Sequence, residues 1–312
     1  MQDGKKMESV AILGPGAVGG FLAALFWKDG VSVTCVGREA AAALIGHDGI
    51  WLESPVFGNF VAHPRAVARL ENRVEVLFVT TKAPFLQEAM ARVDPSMLAG
   101  AIIIPLLNGI DHLAILRARY GGNVVAGSIG ALEVWRESPT HVLHGINPGR
   151  IELATDREVL AARLREVAAM MSRTGLAVAV REREADVLWG KLVRLSALAA
   201  ITSASGEPLG YARQAPWWRE HLEGACREAA TVARAEGLAV SADTVMAQIE
   251  AIPGGLRTSM QRDVEAGRPS ELDAIVGAVV RAGARHGLDC PTFKRLIAMI
   301  QQRIKNQRSI TK

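Results

Sequence analysis

Three cysteines, no long apolar run and almost no excess of either charge exclude several classes of protein before any motif is read. Cys35, Cys226 and Cys290 are far apart, odd in number and in no CxxC spacing, so neither a disulfide framework nor a structural metal site is expected. A reducing compartment, the cytoplasm, is the expected location. The first apolar run, 10–13, is too short for a signal-peptide core or a membrane span and runs straight into glycines, so no membrane association is expected. With 36 Lys and Arg against 32 Asp and Glu, interleaved along the chain, the net charge of +4 suggests no nucleic-acid partner. Repeats and low-complexity stretches are also missing. Residues 1–7 read as a disordered start, and the basic tail 305–312 as the end of a helix, where cations complement the dipole.

What is present is a globular composition, 49% hydrophobic and 22% charged, over 312 residues, more than one core usually serves, so two domains are expected. The first half alternates short β-branched runs with helical stretches: strand 9–13, helix 17–28, strand 31–36, helix 39–45. Continuously apolar runs at 76–80, 101–106 and 123–129 read as further buried parallel strands of a doubly wound sheet. Strands 140–144 and 150–154, joined by a turn at Asn147, Pro148 and Gly149, read as an edge hairpin, followed by helix 157–173 and strand 177–180. His141 and His144, three apart in a strand, point to opposite faces; they read as surface polar residues and not as a shared metal site. Beyond 185 only helices are expected, at 186–203, 218–236, 241–251, 271–286 and 291–307. The fold class is therefore an α/β Rossmann-like N-terminal domain, 1–181, with a second, all-α C-terminal domain, 182–312. Pro216-Trp217-Trp218 reads as a helix start whose helix is a candidate homodimer contact.

Gly14-Pro15-Gly16-Ala17-Val18-Gly19 is a G-x-G-x-x-G turn between a strand and a helix, which raises its value well above a bare glycine triplet. In this reading Gly14 makes the tight turn, Gly16 lets a pyrophosphate approach the backbone, and Gly19 packs the helix on the strand. NAD sites usually carry a carboxylate at the end of the second strand. Here Arg38 follows Val36-Gly37, and an arginine can fork onto a 2′-phosphate, so NADPH is the expected cofactor. Lys82 and Asn108 follow the C-terminal ends of predicted strands, the edge at which such sheets bind ligands; Asn108-Gly109 is also a common turn pair.

Thr80-Thr81-Lys82-Ala83, Leu107-Asn108-Gly109, Trp189-Gly190-Lys191-Leu192, Thr258-Ser259-Met260 through Asp263, and Arg268-Pro269 through Glu271 occur in the order and spacing of the ketopantoate reductases. The chain resembles that family over almost its whole length, and the resemblance implies a 6-phosphogluconate dehydrogenase-like fold and reduction of a small-molecule 2-keto acid by NADPH. It implies Lys191 as the proton donor, and Glu271 facing it across the interdomain cleft and binding a substrate hydroxyl. It further implies Ser259 at the substrate carboxylate, and Lys82 and Asn108 at the cofactor's ribose and nicotinamide region and the substrate. Asp263 is expected to hold neighbouring groups in place. An ammonium near the carbonyl stabilises the developing alkoxide and donates its proton, which requires a pKa lowered by burial.

One stretch departs from the family. Ketopantoate reductases carry asparagines four and eight residues after the lysine, on one helix stripe that binds substrate; this chain has Leu195 and Ala199 there. A polar hydroxy acid would bury groups without those partners, at about 1–3 kcal/mol each. Ketopantoate to pantoate, in pantothenate biosynthesis, is the leading reaction expected. The alternatives are a related dehydrogenase for another keto or hydroxy acid or an imine, and a non-catalytic NADPH-binding redox sensor.

Overall fold

The computed structural model describes residues 9–310, so the predicted irregular start and the last two residues of the basic tail lie outside the described residues. Two compact units divide these residues: 9–107 with 112–187, and 108–111 with 188–310.

The first unit opens with β1 (Ser9–Leu13), α1 (Ala17–Lys28), β2 (Ser32–Val36), α2 (Glu39–Asp48), β3 (Ile50–Glu53), β4 (Phe60–Ala62), β5 (Arg65–Val67) and β6 (Val76–Val79). It continues with α3 (Leu86–Met90), β7 (Ile102–Pro105), α4 (His112–Tyr120), β8 (Ala126–Ser138), β9 (His141–Ala154), α5 (Glu158–Arg173) and β10 (Ala177–Val180). Five strands pair in parallel in the order β5-β2-β1-β6-β7. Every residue of β6 and β7 is buried, as strands covered on both faces require. A second sheet runs β10-β9-β3-β4, with β8 antiparallel to β9.

Helix α1 is apolar nearly all round because the core it shares includes both sheets. Phe26 stacks on Phe78 of β6, Phe21 stacks on His144 of β9, and a side chain at Gly20 would meet Val142 of β9. A helix buried on more than one side has no reason to be amphipathic.

Three sequence expectations are corrected here. Residues 123–129 are not a sixth parallel strand: a single bridge joins Val124 to Ile103, and from Ala126 the chain pairs antiparallel with β9. The hairpin turn at Asn147-Pro148-Gly149 is absent; β9 runs unbroken through it, and the reversal lies at residues 139–140. Pro148 faces Leu132 beside a bulge in β9, where residues 145–147 oppose the single residue Glu133 and a strand tolerates a residue that cannot donate, and Gly149 donates its N–H to the Asn147 side chain. His144 is buried, because it alternates with Leu143 onto the face that packs on α1. Its Nδ1 lies 2.9 Å from Ser54 Oγ and its Nε2 2.9 Å from the Asn147 carbonyl. His141 is mostly covered too, stacked on Trp51 and bonded to Glu53.

The division falls inside α6 (Glu184–Ser205), after Val187, and not at the expected residue 181. The helical unit continues with α7 (Leu209–Gln214), α8 (Pro216–Ala235), α9 (Ala242–Glu250), α10 (Ser259–Glu265), α11 (Ala278–Arg285) and α12 (Pro291–Ile310). Most of α6, the one described helix long and apolar enough to cross a membrane, is buried within the fold, which accounts for its composition. Its Trp189, Leu192, Val193, Ala197 and Ile201 share a core with α8 residues Leu222, Ala225 and Ala229 and with Phe293 of α12. Burying such aliphatic and aromatic side chains contributes about 1.5–3 kcal/mol each. Helix α8 starts at Pro216, with Trp217 stacked on His221 one turn on.

Candidate active site

In the first unit, the chain leaves β1 into the glycine turn and enters α1 with Gly16 at its N-cap. No side chain caps this terminus and its first turn holds no acidic residue, so the N–H groups there are left for an anion. The Thr80 hydroxyl donates to the Gly14 carbonyl at 2.8 Å and holds the turn on the end of β6. Glycine is required at position 19, where a Cβ would lie 2.4 Å from both the Gly14 carbonyl oxygen and the Thr80 hydroxyl. This backbone cradle fits a dinucleotide pyrophosphate. Arg136 of β8, for which the sequence offered no signal, donates to the Pro15 carbonyl at 3.4 Å.

Arg38 caps α2 at the end of β2, exposed, with its guanidinium over the Phe85 ring. Although no carboxylate ends β2, the fold brings one from elsewhere in the chain. Glu88 of α3, 50 residues on, accepts from Arg38 Nε and Nη2 at 3.2 Å each, and from Arg92 at 3.3 Å. These two arginines hold the Glu88 carboxyl below its usual range. Lys82 is exposed at the turn that leads from β6 into α3.

The helical unit brings together three residues of the expected set. Lys191 Nζ donates to Asn108 Oδ1 at 2.8 Å, and Asn108 Nδ2 donates to Glu271 Oε2 at 2.8 Å. Glu271 and Lys191 therefore belong to one unit, joined by an amide, instead of facing each other across an interdomain cleft. Asn108 reaches them although it follows β7, because the segment 108–111 is fastened to the helices. Ile110 sits in the helical core, Asp111 pairs with Arg281 of α11 at 2.6 Å, and Gly109 abuts Ala274 so closely that a Cβ would lie 2.1 Å from its carbonyl oxygen. Ala274 belongs to a single π-helical turn, Asp273–Gly277, that precedes α11; such turns often occur beside functional residues.

Glu271 is buried and Lys191 partly buried. Burial pushes the lysine down from 10.5 to about 8; Glu271 opposes the fall and Arg194 adds to it, so desolvation wins over the carboxylate.

The other expected residues are placed differently. Leu195 is partly buried and Ala199 fully buried, both in the helical core. Ser259 is exposed at the first position of α10. Its neighbour Thr258 makes the cap, accepting from the Gln261 N–H and pairing with the Thr202 hydroxyl at 3.0 Å. Asp263 is buried and accepts from Arg268 at 3.0 Å, which ties down the loop before Glu271.

A dinucleotide cradle in one unit and a desolvated lysine held by an amide in the other are the marks of a class, the nicotinamide-dependent oxidoreductases. Comparison with known proteins narrows the class. Residues 10–157 match the family model "Ketopantoate reductase PanE/ApbA", and residues 183–304 match "Ketopantoate reductase PanE/ApbA C terminal". A 2-dehydropantoate 2-reductase of Caulobacter vibrioides is 30% identical over 309 residues, covering 94% of this chain and 98% of that one. A crystal structure of 2-dehydropantoate 2-reductase from Geobacter metallireducens superposes with a TM-score of 0.82 at 26% identity, covering 94% of this chain and 99% of that one. A D-mandelate dehydrogenase solved with NADH and anilino(oxo)acetate shares the fold, with a TM-score of 0.84 at 21% identity and coverage of 96% and 99%. The chain belongs to the ketopantoate reductase family and is an NADP-dependent oxidoreductase acting on CH–OH groups.

Proposed function

We propose that the chain reduces a 2-keto acid to the 2-hydroxy acid with NADPH, 2-dehydropantoate being the leading substrate. The hydrogen-bonded run Lys191–Asn108–Glu271 is the observation that carries this reading. The backbone of Gly14 through Gly19 and the Arg38 guanidinium would hold the dinucleotide, which supplies the hydride when bound. Lys191 Nζ donates the proton that the developing alkoxide needs. With a pKa of about 8 the lysine stays mostly protonated at neutral pH, yet gives up its proton more readily than an ordinary lysine. Asn108 fixes Nζ through its carbonyl oxygen; its amide nitrogen, bound to Glu271, keeps the side chain from turning over. Glu271 favours the ammonium over the amine and binds a substrate hydroxyl, and Ser259 binds the substrate carboxylate.

Leu195 and Ala199 favour a second reading, a 2-keto acid whose side chain is more apolar than that of ketopantoate. The test is NADPH oxidation with 2-dehydropantoate beside a smaller aliphatic and a bulkier aromatic 2-keto acid. Fastest turnover on 2-dehydropantoate supports the leading substrate, and fastest turnover on another acid supports the second reading. NADPH binding without turnover on any of them would sink both and leave a redox-sensing role.

A further inference from the structure

Arg38 is held by a carboxylate of its own unit. Its Nε and Nη2 both face the Glu88 carboxylate at 3.2 Å, a two-point contact that uses one whole edge of the guanidinium. Glu88 cannot simply drift away, because Arg92 Nη2 also bonds it at 3.3 Å. Arg92 Nη1 in turn donates to the Gly37 and Ala68 carbonyls at 3.3 Å, which anchors the cluster to the backbone beside the ends of β2 and β5. The Phe85 ring lies under the Arg38 guanidinium, 5.3 Å away, so the paired arginine rests on the turn that leads into α3, which carries Glu88. An edge bonded to a carboxylate is not open to a phosphate, and a carboxylate beside a bound phosphate repels it.

We propose that Glu88 is a specificity-determining residue: it occupies Arg38 when no 2′-phosphate is present and competes with that phosphate for the guanidinium, which limits the preference for NADPH over NADH. The inference rests on the reading of Arg38 as the 2′-phosphate contact. Because the Arg38–Glu88 pair is exposed, the competition is modest in size. NADH, with a hydroxyl in place of the phosphate, leaves the pair undisturbed.

Fluorescence titration of the full chain with NADPH and with NADH, in the absence of substrate, tests it in the native protein, Glu88→Gln, Arg38→Ala and the double variant. Glu88→Gln should tighten NADPH about three- to tenfold and leave NADH within about twofold, and the gain should vanish when Arg38 is also replaced. Weaker or unchanged NADPH binding in Glu88→Gln, with Arg38→Ala still weakening it, overturns the competition while leaving Arg38 at the phosphate. NADPH binding that Arg38→Ala does not weaken overturns the proposal at its root, by removing Arg38 from the phosphate. Both side chains are exposed, and matching thermal melts of the variants will show that the fold is kept.

Discussion

The glycine turn of the first unit and the lysine cluster of the second solve opposite problems. The turn is six consecutive residues whose backbone N–H groups fit an anion, so its side chains matter mainly by being absent. The cluster is three side chains at positions 108, 191 and 271, brought together by packing, and its property is a lysine whose pKa burial pushes down to about 8. The first kind of site is written locally and tolerates no added bulk. The second is written at long range and tolerates no lost charge or hydrogen bond.

Replacing Lys191 by Ala should break the contrast most sharply. We expect kcat to fall by about a thousandfold, in the range that a positioned proton donor supplies, with NADPH affinity in a direct titration unchanged. Gly19→Ala should do the reverse, since its Cβ would sit 2.4 Å from two oxygens. Overpacking of this sort costs about 1–3 kcal/mol, measurable by urea denaturation, and both NADPH and NADH should weaken together by about tenfold or more.

Glu271→Gln addresses the electrostatics. Glu271 raises the Lys191 pKa, so its loss should carry the lysine below about 8. The keto-acid reduction we propose needs the ammonium, so the alkaline fall in kcat/KM should move to lower pH, by about one unit. A pH–rate profile with an unmoved alkaline limb would disconnect Glu271 from the lysine. The smallest effect is expected of Thr258→Ala, which removes a helix cap near the site without touching the cluster. Stability should drop by about 1 kcal/mol in a denaturation series while the pH profile stays where it was.

Legibility followed the same division. The strand–turn–helix of β1 and α1 was read at its true boundaries, because strand burial and the glycine positions are local signals. The second sheet is legible only in part: β10 falls at its expected bounds and β9 contains both expected strands, while β3, β4 and the length of β8 are unexpected. Its strands β3 and β4 are four and three residues long, and the Asn147-Pro148-Gly149 triplet that reads as a turn is absorbed into β9 at a bulge of that strand. His144 read as a surface residue because nothing in the sequence says that α1 covers that face. Lys191, Asn108 and Glu271 were found through the family resemblance; without it each has an ordinary structural explanation. Glu88 carries no signal in the sequence, since its partner Arg38 lies 50 residues away and α2 and the four strands β3 to β6 separate the two in the chain.

By itself the sequence determined that a glycine turn joins β1 to α1, that the second half is helical, and that the motifs around position 191 follow the order of a known family. Those features depend on neighbours within one or two turns or on motif order. Only the tertiary structure decided that Asn108 belongs with the helices, that its amide joins Lys191 to Glu271, and that Arg38 is held by Glu88. Each of these depends on which side chains share a small, poorly hydrated or ion-paired space, and that is a property of packing between segments far apart in the chain.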